Sequence, residues 1–407
     1  MTDLTSHSSL FASVEMAPRD PILGLTEAFV GDTRPHKVNL GVGVYCDDHG
    51  RIPLLDAVRK AEKAVLEAAS PRGYQPIEGP STYNQVVQRL VFGADSSLIA
   101  DGSLVTLESL GGTGALKVGA DFLRRLLPSA KVFISDPSWE NHRALFESAG
   151  FAVEPYPYYN AATRGVDFDG MREKLSTLPA GSIVILHACC HNPTGADLSE
   201  TQWHEVIDVV RARRLVAFAD IAYQGFAETI EGDALAVRLL AASGQQFLVA
   251  SSFSKSFSLY GERVGALTIA TSSREEAARV LSQVKRVVRT NYSSPPTHGG
   301  AVVAAVLSNA ALKLMWEEEL AGMRHRIRAM RTSLAEKLRA RGLRADFSFL
   351  LHQQGMFSYT GLTAEQVERL RSEFGIYAVS TGRICVAALN SRNVDYVADA
   401  IAAVLAR

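Results

Sequence analysis

The sequence predicts an α/β protein built around a mostly parallel β-sheet that helices cover. Short apolar runs recur in the middle of the chain and alternate with helical patterns, which is typical of strands buried on both faces. The chain has 407 residues, of which 47% are hydrophobic and 21% are charged, so a sizeable core can form without disulfides. No internal repeat or low-complexity tract is visible, which excludes a solenoid.

Four β-rich runs define the predicted strands, and two helices between them can be delimited. The segment ENHRALFESA has helical spacing after the first run and ends at Gly150. Ser199 and Gln202 have the spacing of a capping box at the start of a helix that continues to Arg213. The strands are predicted at 131–135, 182–187, 215–219 and 247–251.

The pattern changes near residue 311, where one long helical stretch begins and continues to about residue 341. Gly342 is its stop signal. Alternating segments follow at 355–359 and 383–388. We predict an N-terminal arm with part of a small domain at 1–48, a large domain at 49–312, and a small C-terminal domain with the long connecting helix at 313–407.

The charge balance argues against partners that bind by bulk electrostatics. The 42 lysines and arginines nearly equal the 43 aspartates and glutamates, so we expect neither nucleic-acid nor membrane-surface binding. The first residues show no secretory signal, and no apolar run approaches the roughly 20 residues that span a bilayer. Four irregularly spaced cysteines predict no disulfide framework. We therefore expect a cytoplasmic protein.

Lys255 is the only charged residue between Leu239 and Gly261. Most lysines are solvated surface groups. The neighbours of this one include Phe253 and Phe257, which would desolvate the amine and lower its pKa. A lysine with a lowered pKa can serve as a Schiff-base nucleophile and a general base.

Polar residues follow two predicted strands at the carboxyl edge of the sheet, where open α/β folds bind ligands. Asp220 ends the run LVAFAD, and its carboxylate could keep a pyridinium nitrogen protonated, although a helix cap or turn aspartate is the simpler interpretation. Tyr223 could point a phenol into the same crevice. Asn192 lies in the turn NPTG, which could also be only a tight loop.

The segment GGTGA at 111–115 stands between a strand-like and a helix-like segment. Glycines let backbone N–H groups approach an anion, and a helix N-terminus favours phosphate. Many glycine-rich turns bind nothing, and the segment matches neither GxGxxG nor GxxxxGK[ST]. A phosphate is therefore plausible, whereas a dinucleotide or nucleoside triphosphate is not supported.

His187, Cys190 and His191 crowd together and could suggest zinc. Successive strand side chains point to opposite faces, and no second ligand pair has a typical spacing, so we favour packing residues and predict no metal. Arg289 and Arg383 are candidates for binding carboxylates, because a guanidinium pairs with a carboxylate through two hydrogen bonds. Arg289 also ends a basic run that could be a solvated helix face.

Taken together, these residues resemble the class I aminotransferases of the pyridoxal phosphate fold type I superfamily, in the branch of aspartate and aromatic amino acid aminotransferases. The similarity covers nearly the whole chain and is closest to bacterial aromatic (tyrosine) aminotransferases. It implies a seven-stranded sheet in a large domain and a smaller α/β domain from both chain ends. The matching segments are PILGLTEAF, VNLGVGVYCDDHG, GGTGALKVGADFL, SDPSWENH, CCHNPTGADL, DIAYQGF, SSFSKSFSLYGERVG, RTNYSSPP, MFSYTGL and GRICVAALN.

The resemblance implies a role for each matching residue. Lys255 would bind pyridoxal 5'-phosphate covalently and shuttle the substrate proton. Asp220 would pair with the pyridine nitrogen, supported by His142 and His187. The resemblance further implies that Asn192 and Tyr223 bind the phenolic oxygen, that Trp139 stacks on the ring, and that Gly112, Thr113, Ser252, Arg263 and the neighbouring subunit's Tyr74 bind the phosphate.

Three further residues would contact substrate. Arg383 would bind the α-carboxylate, Arg289 from the neighbouring subunit would bind a distal carboxylate, and Gly43 would lie close by. The implied reaction is ping-pong transamination, through pyridoxamine phosphate, of tyrosine, phenylalanine, tryptophan, aspartate and glutamate with 2-oxoglutarate. The chain would be a homodimer with shared active sites.

Three alternatives remain at this stage. One is a dedicated aspartate aminotransferase, since Thr113 and Cys46 are less typical of the aromatic enzymes, whereas Ser294 is closer to them. Another is a pyridoxal phosphate-binding regulator, although such proteins usually carry a DNA-binding segment. The third is a nicotinamide dehydrogenase, which the missing GxGxxG disfavours.

Overall fold

A computed structural model describes residues 9–17, 22–343 and 345–406. Parts of the predicted N-terminal arm, including Pro21 of the PILGLTEAF segment, lie outside these ranges. The strands are β1 (Val38–Asn39), β2 (Leu104–Leu110), β3 (Lys131–Asp136), β4 (Ala152–Pro157), β5 (Tyr159–Asn160), β6 (Gly165–Val166), β7 (Ile183–His187), β8 (Val216–Ile221), β9 (Phe247–Ser252), β10 (Val264–Ala270), β11 (Phe357–Tyr359), β12 (Ile376–Tyr377) and β13 (Arg383–Cys385).

The helices surround these strands, and two short 3-10 helices lie at Ser348–Leu351 and Val386–Ala388. The α-helices are α1 (Leu23–Gly31), α2 (Asp56–Glu67), α3 (Ser81–Phe92), α4 (Ser97–Ala100), α5 (Gly111–Leu126), α6 (Glu140–Ser148), α7 (Phe168–Thr177), α8 (Glu200–Arg213), α9 (Ile230–Asp233), α10 (Leu235–Ala242), α11 (Arg274–Asn291), α12 (His298–Ser308), α13 (Ala310–Ala340), α14 (Ala364–Phe374) and α15 (Val394–Leu405).

A seven-stranded sheet forms the centre of the molecule, with its strands in the order β2-β10-β9-β8-β7-β3-β4. β8 is parallel to β7 and β9, and β3 is parallel to β7 and β4, whereas β10 is antiparallel to both of its neighbours. All residues of β7, β9 and β10 are buried, as expected for strands covered on both faces. The predicted α/β class with a mostly parallel seven-stranded sheet is confirmed.

The sheet gathers polar side chains from distant parts of the chain at one edge. Its register pairs His187 of β7 with Asp220 of β8. β9 ends at Ser252, directly before the loop that carries Lys255. β2 runs in the same direction as β9 and ends where α5 begins, at Gly111. Carboxyl ends of strands that run the same way meet at one edge, so these segments border one crevice.

The four strands predicted from sequence are present, with ends shifted by one or two residues. In the same sheet, β2 is the strand-like segment expected before GGTGA, whereas β4 and β10 are missing from the prediction. β4 (AVEPYP) contains two prolines and a glutamate, which an edge strand tolerates and which hide its β pattern. β10 (VGALTIA) contains Gly265, which interrupts the apolar run that would identify it.

The predicted helices also form, with the expected ends. The Ser199 side chain accepts a hydrogen bond from the Gln202 N–H, and the Gln202 side chain accepts one from the Ser199 N–H, so the capping box is present. The long helix is α13, and Gly342 follows it with φ of +65°. No single helix of the described residues could cross a membrane by length and apolarity; only α12 and α13 together could, and they are bent by 100°.

The two chain ends meet outside the central sheet. β1 pairs in parallel with β12, where Val38 is opposite Ile376, and β11 pairs with β13. α15 packs against α13 and α14. This pairing favours a smaller domain made from both ends. The boundaries at 48/49 and 312/313 stay predictions, the second falling in the first turn of α13.

Candidate active site

A cavity of about 270 Å³ lies at the carboxyl edge of the sheet, between the sheet and β11 and β13. It brings together segments that are up to 361 positions apart, from Ile22 to Arg383. The cavity is therefore the candidate active site. The predicted residues that line it are Gly43, Gly112, Thr113, Trp139, His187, Asn192, Asp220, Tyr223, Ser252, Lys255, Arg263 and Arg383.

Lys255 lies in the loop after β9, and its surroundings are those expected from the sequence. Phe253 and Phe257 beside it are 2% and 0% exposed. Burial lowers the pKa of the Lys255 amine to about 8, against an opposing effect of the Asp220 carboxylate. Its Nζ lies 4.9 Å from the centre of the Tyr223 ring. A fraction of the amine is therefore uncharged at neutral pH and able to act as a nucleophile or base.

Asp220 is held by a histidine that does not itself line the cavity. The His142 Nε2–H donates to Asp220 Oδ2 over 3.0 Å, and His142 Nδ1 lies 2.9 Å from Ser138 Oγ. Burial raises the pKa of Asp220, but the hydrogen bond from His142 and the positive charge of Lys255 bring it below the ordinary value. The carboxylate is thus an anion at neutral pH and can stabilise a cationic ring nitrogen.

His187 lies opposite Asp220 on the neighbouring strand and is a neutral ring. Burial lowers its pKa to about 3. Its centre is 4.9 Å from the centre of His142 in an edge-to-face contact. Two further side chains, Trp139 and Tyr223, line the cavity with an indole and a phenol. Trp139 packs edge-to-face on His142 at 5.2 Å, and Tyr223 is 6% exposed, with a pKa that burial raises above its ordinary value.

Arg383 is a buried cation without a carboxylate partner in the described part of the chain. It is 1% exposed, its Nη1 donates to Asn192 Oδ1 over 3.1 Å, and its Nη2 donates to the Gly41 carbonyl over 2.6 Å. Its Nε has no hydrogen-bond partner. The Phe357 ring lies 4.4 Å from the guanidinium carbon. A buried guanidinium with an unused donor calls for an anionic ligand.

A second anion-binding cradle lies at the start of α5. The N–H groups of its first turn have no partner within the helix, and the helix dipole favours a negative charge there. Arg263 contacts the same turn, since a Cβ added at Gly111 would lie 2.6 Å from Arg263 Nη2. Arg263 donates to Ser254 Oγ and to the Tyr260 carbonyl, and no described carboxylate pairs with it. These groups, with Ser252, can bind a phosphate.

Two predicted residues lie away from the cavity of their own chain. Tyr74 is 99% exposed and borders a groove with residues 292–297. Arg289 is exposed on α11 and donates to Ser293 Oγ. Neither residue lines the cavity. Their expected entry from a neighbouring subunit stays a prediction.

Several lining residues are absent from the sequence-based set. The clearest is Phe357, whose ring would clash at 2.6 Å with a Cβ on Gly43, so the glycine makes room for it. Tyr260 Oη accepts from the Tyr45 N–H over 2.8 Å and joins the Gly43 loop to the Lys255 loop. Both lie in segments noted for the resemblance, MFSYTGL and SLYGERVG, but without a charge that would mark them. The missed residues are Ile22, Leu116, Cys189, Ala222, Ser254, Tyr260 and Phe357.

The cluster considered as a zinc site is held by contacts within the protein. The His191 ring stacks on Tyr158 at 3.9 Å and lies 2.9 Å from Ser135 Oγ. Burial raises the pKa of Cys190 to about 12, which disfavours the thiolate that binds metals. Cys190 Sγ also lies near Cys189 and Asp233, but this carboxylate already accepts three backbone N–H groups.

Comparisons with known proteins agree with this site. A family model described as aminotransferase class I and II matches residues 35–401. The chain is 66% identical over 397 residues to an aspartate aminotransferase of Pseudomonas aeruginosa, covering 98% of this chain and 100% of the relative. It is 52% identical over 399 residues to an aromatic-amino-acid aminotransferase of Escherichia coli, covering 97% and 100%.

A solved structure is equally similar. It is the aromatic-amino-acid aminotransferase of Burkholderia pseudomallei, covalently bound to pyridoxal phosphate, with a TM-score of 0.96 and 68% identity. The match covers 98% of this chain and 100% of that one. Family, sequence and structure thus agree over almost the whole length, and the chain belongs to the class I and II aminotransferases.

Proposed function

We propose that this chain is a pyridoxal 5'-phosphate-dependent aminotransferase that acts on aromatic amino acids and on aspartate and glutamate, with 2-oxoglutarate as amino acceptor. One observation carries the proposal: an amine with a lowered pKa, a carboxylate and an unpaired guanidinium border one cavity at Lys255, Asp220 and Arg383. These are the three groups that transamination of an α-amino acid requires.

The cavity has the donor set that pyridoxal phosphate needs. Arg263 has no carboxylate partner among the described residues and lies against the first turn of α5, which suits a phosphate. Asp220 suits a protonated pyridine nitrogen, and Lys255 supplies the amine. When bound, this cofactor supplies an aldehyde that condenses with amines and a ring that accepts electrons from the substrate Cα.

Lys255 moves the proton in this proposal. With the cofactor bound, its amine would take the proton from the substrate Cα and would then deliver it to the cofactor side of the new C–N bond. The support is its pKa of about 8, which matches a base that must both accept and donate near neutral pH. Asp220 keeps its negative charge through His142, so it can hold a proton on the ring nitrogen throughout.

Arg383 orients the substrate by binding its α-carboxylate. The hydrogen bonds to Asn192 and Gly41 fix the guanidinium, which leaves Nε and part of the fork for a ligand. Desolvation strengthens such a pair, because few water molecules compete for the charge. The substrate Cα is thereby held near Lys255, which raises the rate of proton transfer.

The substrate range rests on the relatives and on the cavity wall. One close relative is named for aspartate and another for aromatic amino acids. Trp139 and Phe357 supply aromatic surface for an aromatic side chain, and Arg289 from a second subunit would bind a distal carboxylate. The alternative is a dedicated aspartate aminotransferase, which the 66% identity to the Pseudomonas aeruginosa enzyme favours.

We further propose a homodimer with shared sites. Tyr74 is 99% exposed in the single chain and lies outside the cavity, so it could act on a phosphate only in another copy. The same holds for Arg289. A cytoplasmic location stays a prediction.

A substrate panel tests the proposal. The purified protein is supplied with 2-oxoglutarate and with phenylalanine, tyrosine or aspartate, and glutamate formation is measured, with Lys255→Ala as the control. We expect comparable kcat/KM for the aromatic and the dicarboxylic substrates. Turnover of aspartate alone would select the dedicated aspartate enzyme, and no Lys255-dependent glutamate with any of them would contradict the proposal.

A further inference from the structure

Glu108 is a buried carboxyl group that the proposed reaction does not use. It lies in β2, an edge strand of the central sheet, and is 1% exposed. No ion pair or side-chain hydrogen bond involves it in the described ranges, and its Oε2 has no partner. Burial raises its pKa to about 8. The group is therefore mostly uncharged at neutral pH.

Two glycines make room for this carboxyl group. A Cβ on Gly79, whose φ is +83°, would lie 2.6 Å from Glu108 Cβ and 3.0 Å from its Oε2. A Cβ on Gly300 would lie 2.3 Å from Glu108 Oε1. Their backbones thus pack directly on the Glu108 side chain, which therefore lies between two segments of the chain.

Each of these segments also bonds to the Glu108 backbone or to the other segment. The Glu108 N–H donates to the Glu78 carbonyl over 2.9 Å, so segment 72–79 pairs with the outer edge of β2. The Tyr292 hydroxyl donates to the Glu108 carbonyl over 3.2 Å, which attaches segment 289–300. Lys285 joins Glu78 in an ion pair at 2.6 Å and ties α11 to the first segment.

We propose that Glu108 is a positioning residue whose buried, uncharged carboxyl group keeps segments 72–79 and 289–300 against the sheet edge, and that release of the segments is accompanied by loss of its proton. The segments bear Tyr74 and Arg289. The consequence for the reaction rests on the proposed function of these two residues, whereas the packing of Glu108 does not.

Within the described part of the chain, no cation faces Glu108 to pair with its carboxylate. Tyr83 of α3 and Tyr292 at the end of α11 are the titratable groups near it, and burial is the main reason that their pKa values are raised. Both phenols therefore remain neutral in the range where Glu108 titrates. Asn84 of α3 is uncharged and donates through its Nδ2 to the Glu78 carbonyl over 3.1 Å.

The charged groups on the same elements are engaged elsewhere. The Lys285 ammonium pairs with Glu78, and His298 at the start of α12 lies 3.8 Å from Glu62 of α2. Ala266 is opposite Glu108 on β10 and is apolar. An ionised Glu108 would therefore remain unpaired while the segments stay closed, and water would stabilise it once they open.

The direction of the pH effect follows from linkage. The pKa of Glu108 in the closed protein exceeds the ordinary value of 4.5. The uncharged carboxyl group therefore stabilises the closed segments to its full extent below about pH 4.5. Opening of the segments should then increase by up to about tenfold per pH unit and level off above about pH 8. A carboxylate that water already reached would show no such dependence.

Hydrogen–deuterium exchange of the full chain tests the proposal, with Glu108→Gln as the matched uncharged variant. Exchange is measured from pH 5.5 to 9 and corrected for the intrinsic rate at each pH. We expect protection of the hydrogen-bonded N–H groups of Gly79, Glu108 and Tyr292 to fall with pH in the wild type up to about pH 8, and to stay level in Glu108→Gln. Equal pH dependence in both proteins would overturn the proposal.

Two further results keep the test decisive. If Glu108→Gln does not fold, Glu108→Met serves as the uncharged variant instead. The wild-type exchange profile is also informative alone, because a loss of protection spread evenly over the chain would contradict a local role of Glu108. The exchange measurement uses no substrate. Failure of Lys255 to bind the cofactor would overturn the proposed function but would not change the exchange measurement. Conversely, exchange that does not depend on pH in a protein whose Lys255 does bind the cofactor would overturn only the role of Glu108.

Discussion

Lys255 combines a reactive amine with surroundings that keep part of it uncharged at neutral pH. With a pKa of about 8, roughly one tenth of the amine is neutral at pH 7, compared with less than a thousandth for an ordinary lysine. Burial of the amine produces this shift, and Phe253 and Phe257 on either side of Lys255 are themselves buried. The sequence predicts it because no other charge occurs between Leu239 and Gly261.

The pH dependence of cofactor capture tests this pKa. Only the neutral amine condenses with an aldehyde, so the capture rate of the apoprotein should rise about tenfold per pH unit below pH 8 and then level off. Absorbance after mixing with pyridoxal phosphate gives the rate, and Nα-acetyl-lysine under the same conditions is the control. A protein rate that keeps rising to pH 10, as for the free lysine, would contradict the shift.

Arg383 should be required for every substrate, because all of them carry an α-carboxylate. Arg383→Ala is expected to cost about 2–5 kcal/mol of transition-state stabilisation, as for other desolvated charge pairs. Arg383→Lys keeps the charge without the fork and should lose less. Measurement of kcat/KM for phenylalanine and aspartate checks this, and a loss confined to one of the two would show that Arg383 does not bind the shared carboxylate.

At the scale of elements, the close approach of β10 to the first turn of α5 shapes the anion cradle. A Cβ on Gly265 would lie 2.4 Å from the Gly111 carbonyl carbon and 2.6 Å from the Ser251 oxygen, which are backbone atoms. Neither backbone atom can shift to make room for a methyl group unless a strand or the turn moves with it. Gly265 also explains why β10 is hard to recognise from sequence, since the residue that weakens the strand pattern is needed for this contact.

Gly265→Ala should therefore weaken the cradle. We expect a loss of about 1–3 kcal/mol in folding stability from overpacking, together with weaker binding of pyridoxal phosphate, because the turn that we propose to bind the phosphate would be displaced. Gly261→Ala is the matched control, since nothing lies within 4 Å of its added Cβ. Denaturant unfolding and a cofactor titration measure the two effects, and equal behaviour of the two variants would contradict the argument.

The limits of sequence-based prediction are also visible at this scale. Residues that end predicted strands, such as Asp220, could be assigned to one edge because parallel strands share a direction. His142 could be related to Asp220 only through the resemblance, since no local pattern connects two residues 78 positions apart. Phe357 and Tyr260 were missed because aromatic residues at the ends of strands and loops are usually core residues.

At the scale of the whole molecule, one chain holds the cavity and bears two predicted site residues outside it. Tyr74 is fully exposed, and Arg289 lies on the exposed side of α11. The sequence offers no direct signal for this division, because a single chain carries no pattern that tells which residues act in a partner. The expectation came from the resemblance alone.

Mixing of two variants that are both expected to be nearly inactive with aspartate tests whether Arg289 acts in a second subunit. Lys255→Ala lacks the amine, and Arg289→Ala should lose most activity with aspartate but little with phenylalanine. A mixed dimer contains one site with both residues intact, so statistical exchange should restore about a quarter of the aspartate sites. No recovery, although exchange of subunits is demonstrated by mass, would show that Arg289 acts within its own chain.

The covalent link between Lys255 and the cofactor is the central claim, and reduction with borohydride tests it most directly. The holoprotein is reduced, digested and mapped by mass spectrometry, with Lys255→Ala treated in parallel. We predict a pyridoxyl group on the peptide that contains Lys255, and none at that position in the variant. A wild-type protein that carries no label after incubation with pyridoxal phosphate, or carries it only on other lysines, would contradict the account.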